Sequence, residues 1–323
     1  MKSFSKHFAL ILLMLVVSQA AFAGPLGDQS VKHKTAQTSA ESPRRGVTPQ
    51  NMENLPQGVK VLRDIAYGSN VKQRMDVYLP QAPLKGAPVI MMVHGGTWSK
   101  GDKASRSVVE NKVARWVPQG FIFISVNNRL LPEADPLHQA GDVAHALATA
   151  QARAASWGGD PSRFILMGHS AGGHLVALLA AAPAIALDVG ARPWLGTVLL
   201  DSAVLDLIQI MEARHPRFYD KIFGSRPDYW RSVSPFHRLT SSATPMLAVC
   251  SRRKGSCAQA HRFAERSAAL GVQVRVLEQK LSHRDVSATL GKPGAYTQAV
   301  EAFMGSLDKK VMETLRRPSS GTF

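Results

Sequence analysis

Six short apolar runs, each set apart from the next by a longer stretch of helical spacing, constrain this chain more than any other feature. They occupy residues 88–93, 121–126, 163–167, 196–200, 245–249 and 272–277. Runs this continuously apolar suit strands covered on both faces, and their alternation with helical segments predicts a parallel α/β sheet flanked by helices. Ahead of them, residues 59–67 and 73–79 alternate apolar and polar positions around Gly68-Ser69-Asn70, the pattern of a hairpin. The expected sheet therefore has about eight strands, mostly parallel. Residues 203–240 break the rhythm with mixed polar and aromatic sequence, including Phe218, Tyr219, Tyr229 and Trp230. They read as an insertion over the strand ends.

The N-terminus follows a different logic. Lys2 and Lys6 precede an apolar run at 8–17 and then Ala21-Phe22-Ala23. That order predicts a signal peptide, residues 1–23, and export to the periplasm or beyond the cell. The run is short for a membrane span and no cysteine follows Ala23 to take a lipid, so no stable membrane anchor is expected. An uncleaved anchor is the alternative. Residues 24–58 are rich in Ser, Thr, Gln, Pro and Gly and read as a disordered tail, leaving 59–323 as a single folded domain. With 39 Lys and Arg against 23 Asp and Glu the chain is strongly basic at +16, which permits attraction to polyanions. No zinc spacing, aromatic RNA-binding strand or basic heptad region accompanies that charge, so no specific nucleic-acid partner is expected. Only Cys250 and Cys257 are present. An oxidising compartment favours joining them, although a buried Cys250 and an unrelated Cys257 fit the spacing too.

Chemistry enters where the third of the six apolar runs ends. It leads into Gly168-His169-Ser170-Ala171-Gly172-Gly173-His174, followed by strongly helix-forming sequence. A G-x-S-x-G turn between strand and helix lifts Ser170 Oγ out of the chain and aims the Ala171 amide at the same space, pairing a nucleophile with an oxyanion donor. His94-Gly95-Gly96-Thr97-Trp98 ends the first of those runs. Its glycines leave the amides of Gly95 and Gly96 free to face a developing negative oxygen. A general base is then expected downstream. His283, just past the last strand, is favoured over His237 in the insertion and His261 in a helical stretch, whereas His94 sits on the oxyanion side as a turn residue.

Through these motifs the chain from about residue 59 to 307 resembles an α/β-hydrolase of the secreted carboxylesterase kind, near the hormone-sensitive-lipase, acetylesterase and feruloyl-esterase branches. Lys100-Gly101-Asp102-Lys103, Ser125-Val126-Asn127-Asn128-Arg129-Leu130 and Trp157-Gly158-Gly159-Asp160-Pro161-Ser162-Arg163 add to the likeness. Asn128 stands where the resemblance expects tyrosine, and Thr97 where a third glycine or alanine is frequent. The resemblance also places a carboxylate in the loop after the seventh strand. Here that loop, Ser251-Arg252-Arg253-Lys254-Gly255-Ser256-Cys257, has no Asp or Glu. Asp201, ending a strand on the same sheet edge as Ser170, is the first substitute, as in related hydrolases that carry the acid after the sixth strand. A turn or cap role serves Asp201 equally well, and Asp206 is the next candidate.

The implied function is a serine hydrolase that cleaves small or medium carboxylic esters through an acyl-enzyme, needs no cofactor or metal, and is weakened if the acid is missing. An amidase or formamidase, a plant-wall deacetylase or a feruloyl esterase fits the same motifs. A non-catalytic binding protein that has lost its acid is the alternative of another class. Oligomeric state is not legible.

Overall fold

The computed structural model describes residues 57–202 and 204–317. The expected leader, 1–23, and all but the last two residues of the expected tail, 24–58, lie outside the described residues. Eight strands form one sheet: β1 (Val59–Ala66), β2 (Arg74–Pro80), β3 (Ala87–Val93), β4 (Ile122–Val126), β5 (Gly159–His169), β6 (Gly196–Leu200), β7 (Met246–Cys250) and β8 (Val274–Glu278). Their spatial order is β1-β2-β4-β3-β5-β6-β7-β8. The β1–β2 hairpin is antiparallel, as is its junction with β4, and every pairing from β4 to β8 is parallel.

The expected strand at 163–167 is the second half of a longer element. Polar residues ahead of it join β5 because Gly159 pairs with Ala87 of β3, ahead of a register shift before Val89. Sequence apolarity marks only the part of a strand that both faces cover.

Helices enclose the sheet. In chain order they are α1 (Arg106–Trp116), α2 (Pro136–Arg153), α3 (Ala171–Ala181), α4 (Ala184–Leu187), α5 (Leu207–Glu212), α6 (Phe218–Phe223), α7 (Pro227–Ser232), α8 (Pro235–Arg238), α9 (Ser256–Ala268), α10 (His283–Ala288), α11 (Ala295–Leu307) and α12 (Lys309–Leu315). The period of two along β3 shows why both faces need cover. Val89, Met91 and Val93 join an apolar cluster with α2, α3 and α9, whereas Ile90 and Met92 join another with α1, α11 and α12. Local chemistry sets the helix starts. At α2, Pro136 occupies the first turn and the Asp135 carboxylate accepts from the amides of Leu137 and His138. Helices α5–α8 fill the segment expected to be an insertion. Parallel pairing then places the residues following β3, β5, β6, β7 and β8 along one sheet edge, where ligands of open α/β sheets bind.

Candidate active site

Ser170 joins β5 to α3 with φ 54° and ψ −117°. A non-glycine residue in that region is strained, and such strain persists only where surrounding structure enforces it. Enforcement here is steric. A Cβ on Gly172 would lie 2.4 Å from the carbonyl oxygens of both Val93 and His94. One on Gly95 would meet His169 Nδ1 at 2.9 Å and Ser170 Cβ at 3.0 Å. The turn and the loop after β3 thus touch through backbone, which brings Gly95 against the serine.

The amides of Gly95 and Gly96 have no acceptor among the described residues. Ala171, first residue of α3, has no intrahelical acceptor for its amide either. Thr97 and Trp98 continue the loop at φ 53° and 55°, and Trp98 anchors it. The indole Nε1–H donates to His174 Nδ1 at 3.2 Å, and His174 Nε2–H donates to the Val233 carbonyl at 2.7 Å. Burial lowers His174 to about 4, which keeps it neutral and able to accept from Trp98. Phe223 of α6 packs edge-on at 5.0 Å from Trp98. His94 hydrogen-bonds within its own turn, Nδ1 to Gly95 O at 2.9 Å.

His283 opens α10. Ser282 caps that helix, accepting from the Asp285 amide while its hydroxyl meets the Asp285 carboxylate. The His283 Nε2 lies 3.0 Å from Ser170 Oγ, and Nδ1 lies 2.5 Å from Asp201 Oδ2. Short as it is, α10 is tied down at most of its carbonyls. His169 Nε2–H donates to His283 O at 2.9 Å, Tyr296 to Val286 O, Lys112 Nζ to Ser287 O at 2.6 Å and Asn111 to Ala288 O. The rings of His169 and His283 stand 4.7 Å apart. Burial, then the neighbouring His283, lowers His169 to about 4, so the two imidazoles do not both carry charge at neutral pH. Burial alone lowers Lys112 to about 7.

Asp201 follows β6 at φ 53° and is fully buried. Its carboxylate accepts from Ser251 N at 2.8 Å, Ser251 Oγ at 2.7 Å, Ser256 Oγ and His283 Nδ1. Burial pushes this carboxyl up. The hydrogen bonds from His283, Ser256 and Ser251, with the charge of Arg253, outweigh it and hold Asp201 well below the usual carboxylate range. The acid-free loop after β7 therefore has a positive role, presenting hydroxyls and an amide to a carboxylate from the neighbouring strand. The weakening expected from the missing acid finds no support in this geometry. A Cys250–Cys257 disulfide closes the loop at its base.

Of the other candidates, Asp206 caps α5 and pairs with Arg262. His237 bonds to Ser234 and His261 to Glu278. None of them enters the Ser170 cluster. Reading the sequence missed the supporting roles of His169, His174, Lys112, Ser251 and Ser256. The two histidines flank the nucleophile within the turn motif, and that position was the available signal. No local pattern pointed to the others. Among the described residues, no group of three or more His, Cys, Asp or Glu is placed to hold a metal ion, and no helix is long and apolar enough to cross a membrane.

The chain is similar to several known proteins. Esterase LipC of Mycobacterium tuberculosis is 30% identical over 67% of this chain and 57% of its own length. A probable isoprenylcysteine alpha-carbonyl methylesterase, ICME, of Oryza sativa subsp. japonica is 32% identical over 36% of this chain and 28% of its own. The chain thus spans little more than half of the one relative and under a third of the other. Among solved structures, a truncated carbohydrate esterase from gut microbiota superposes with a TM-score of 0.67 at 18% identity, over 78% of this chain and 96% of that one. This last is a likeness of fold, and the fold is that of the α/β-hydrolases. The BD-FAE family model matches residues 75–252, which run from β2 to the loop beside Asp201; the chain belongs to the BD-FAE family, of α/β-hydrolase type.

Proposed function

We propose that the protein is an exported serine esterase acting on small or medium carboxylic esters through an acyl-enzyme. Ser170 Oγ attacks the ester carbonyl while His283 Nε2 takes its proton and passes it to the departing alcohol. Asp201 fixes the Nδ1–H tautomer and stabilises the imidazolium. The amides of Gly95, Gly96 and Ala171 receive the oxyanion. Water, deprotonated by the same imidazole, then frees the carboxylic acid and restores Ser170.

One observation carries the reading. Ser170, His283 and Asp201 form a continuous hydrogen-bonded line of 3.0 and 2.5 Å, assembled from the residues after β5 and β6 and the start of α10. The esterase names of the relatives support an ester as substrate. Export rests on the N-terminal pattern, and the Cys250–Cys257 bond suits an oxidising compartment. Turnover of 4-nitrophenyl acetate and butyrate tests the assignment. Ser170→Ala and His283→Ala should each lower kcat by about 10⁶-fold with folding intact. Near wild-type turnover in either variant would refute it, and cleavage of formamides in preference to esters would move the assignment to an amidase.

A further inference from the structure

A cleft of about 660 Å³ opens between α5–α6 and the start of α9. Its lining is one-sided in charge. Arg214, Arg253, Lys254 and Arg262 face it together with His215, and no Asp or Glu lines it. Arg262 is paired with the buried Asp206, and His215 with Asp220. Arg214 and Lys254 are exposed and have no partner among the described residues. The rings of Phe218 and Tyr219, 4.3 Å apart, supply an apolar wall, with Phe218 41% exposed.

Two of the lining residues also touch residues beside Ser170. Tyr219 stands 6.4 Å from Trp98 of the oxyanion loop. Arg253 donates to the carbonyl of Asp201 at 2.8 Å, and its Nε stands 3.6 Å from the Asp201 carboxylate. Arg214 and Lys254, without counter-charges among the described residues, set up a field beside the apolar wall that an anionic ligand relieves.

We infer that this cleft is a subsite for the non-reacting part of the substrate, and that the ester it accepts carries a carboxylate on an apolar body. The inference rests on the esterase reading and adds the substrate's charge to it. Arg214 and Lys254 meet the anion, and Phe218 and Tyr219 cover the apolar portion.

Two matched pairs of esters test it. One pair is 4-nitrophenyl hydrogen adipate and its terminal amide, with the charge on the acyl side. The other is the butyrate ester of 4-hydroxyphenylacetic acid and of its amide, with the charge on the alcohol side. In low salt, the charged member of at least one pair should be favoured by about tenfold in kcat/KM. High salt should shrink that preference. The double variant Arg214→Gln, Lys254→Gln should abolish it while cleaving the neutral esters at the wild-type rate. No preference in either pair, or a preference that survives in the variant, overturns the inference. Calorimetric binding of adipate separates the two readings because it needs no turnover. Wild type that cleaves neither neutral ester would count against the esterase reading, yet tighter binding of adipate by wild type than by the double variant would still support the subsite, and equal binding would refute it.

Discussion

Ser170 and Asp201 are placed by the same backbone device and held by opposite means. Each follows a parallel strand by one residue, at φ 54° and 53°. Each amide donates across to the adjoining strand, Ser170 to Leu200 O at 2.9 Å and Asp201 to Val249 O at 2.8 Å. Around Ser170 the neighbours are glycines pressed against backbone, so the turn is fixed by excluded volume. Around Asp201 they are Ser251, Ser256 and Arg253, so the acid is fixed by directed hydrogen bonds and charge. Excluded volume tolerates no added atom, whereas a polar cradle weakens by degrees. The same contrast separates their responses to acid.

Short of removing Ser170 or His283 themselves, the acid side should give the largest effect. Asp201→Asn preserves size but loses the charge and favours the wrong imidazole tautomer, and should lower kcat by about 10⁴-fold, with a lower melting temperature as the charge-assisted bonds from Ser251, Ser256 and His283 weaken. Turnover within tenfold of wild type would mean that the cradle orients His283 without a carboxylate. On the nucleophile side, Gly95→Ala inserts a methyl against His169 and Ser170. A drop of about 10² in kcat/KM follows from a displacement near 1 Å at the reacting atoms, and an unaffected rate would show that the loop has room to give. Removing one hydroxyl of the cradle is milder. Ser256→Ala leaves Asp201 its bonds from Ser251 and His283, and should lower kcat about tenfold, as measured beside wild type at pH 8.

Acidification sharpens the contrast further. His169 and His174 are lowered to about 4, mainly by burial. Between that value and the ordinary histidine value near 6.5, the unfolded chain binds protons that the folded chain does not. Stability therefore falls with falling pH in this window, by roughly 3 kcal/mol at most for each group. Asp201 is depressed below the usual carboxylate range. Its contribution is present above about pH 3.9 and is lost only as pH falls through its lower folded value. The serine side should thus yield first. In denaturant melts from pH 7 to 4, His174→Gln should lose up to one proton from the slope of stability against pH; an unchanged slope would show that His174 takes its proton in the folded state.

What could be read from the sequence follows the same division. Glycines around Ser170 are adjacent in the chain or repeat as a short motif, so the turn, Gly95, Gly96 and Ala171 were legible before any fold was known. Six apolar runs and one alternating hairpin likewise pointed to about eight strands, mostly parallel. The Asp201 cradle was not legible, because it joins residues separated by 50 and 55 positions, and Ser251 and Ser256 are ordinary loop residues until the parallel register of β6 and β7 sets them beside the carboxylate. Lys112 was hidden in the same way. A lysine inside a helix reads as a solvated face, and only the packing of α1 on α10 turns it toward Ser287.

The most direct test is to inactivate the protein with a phosphonate that modifies activated serines and to locate the adduct by peptide mass spectrometry. A single adduct on Ser170, absent from His283→Ala protein treated in parallel, is the result expected of a serine activated by that imidazole. Modification at another residue, or equal labelling of Ser170 when His283 is gone, would contradict it.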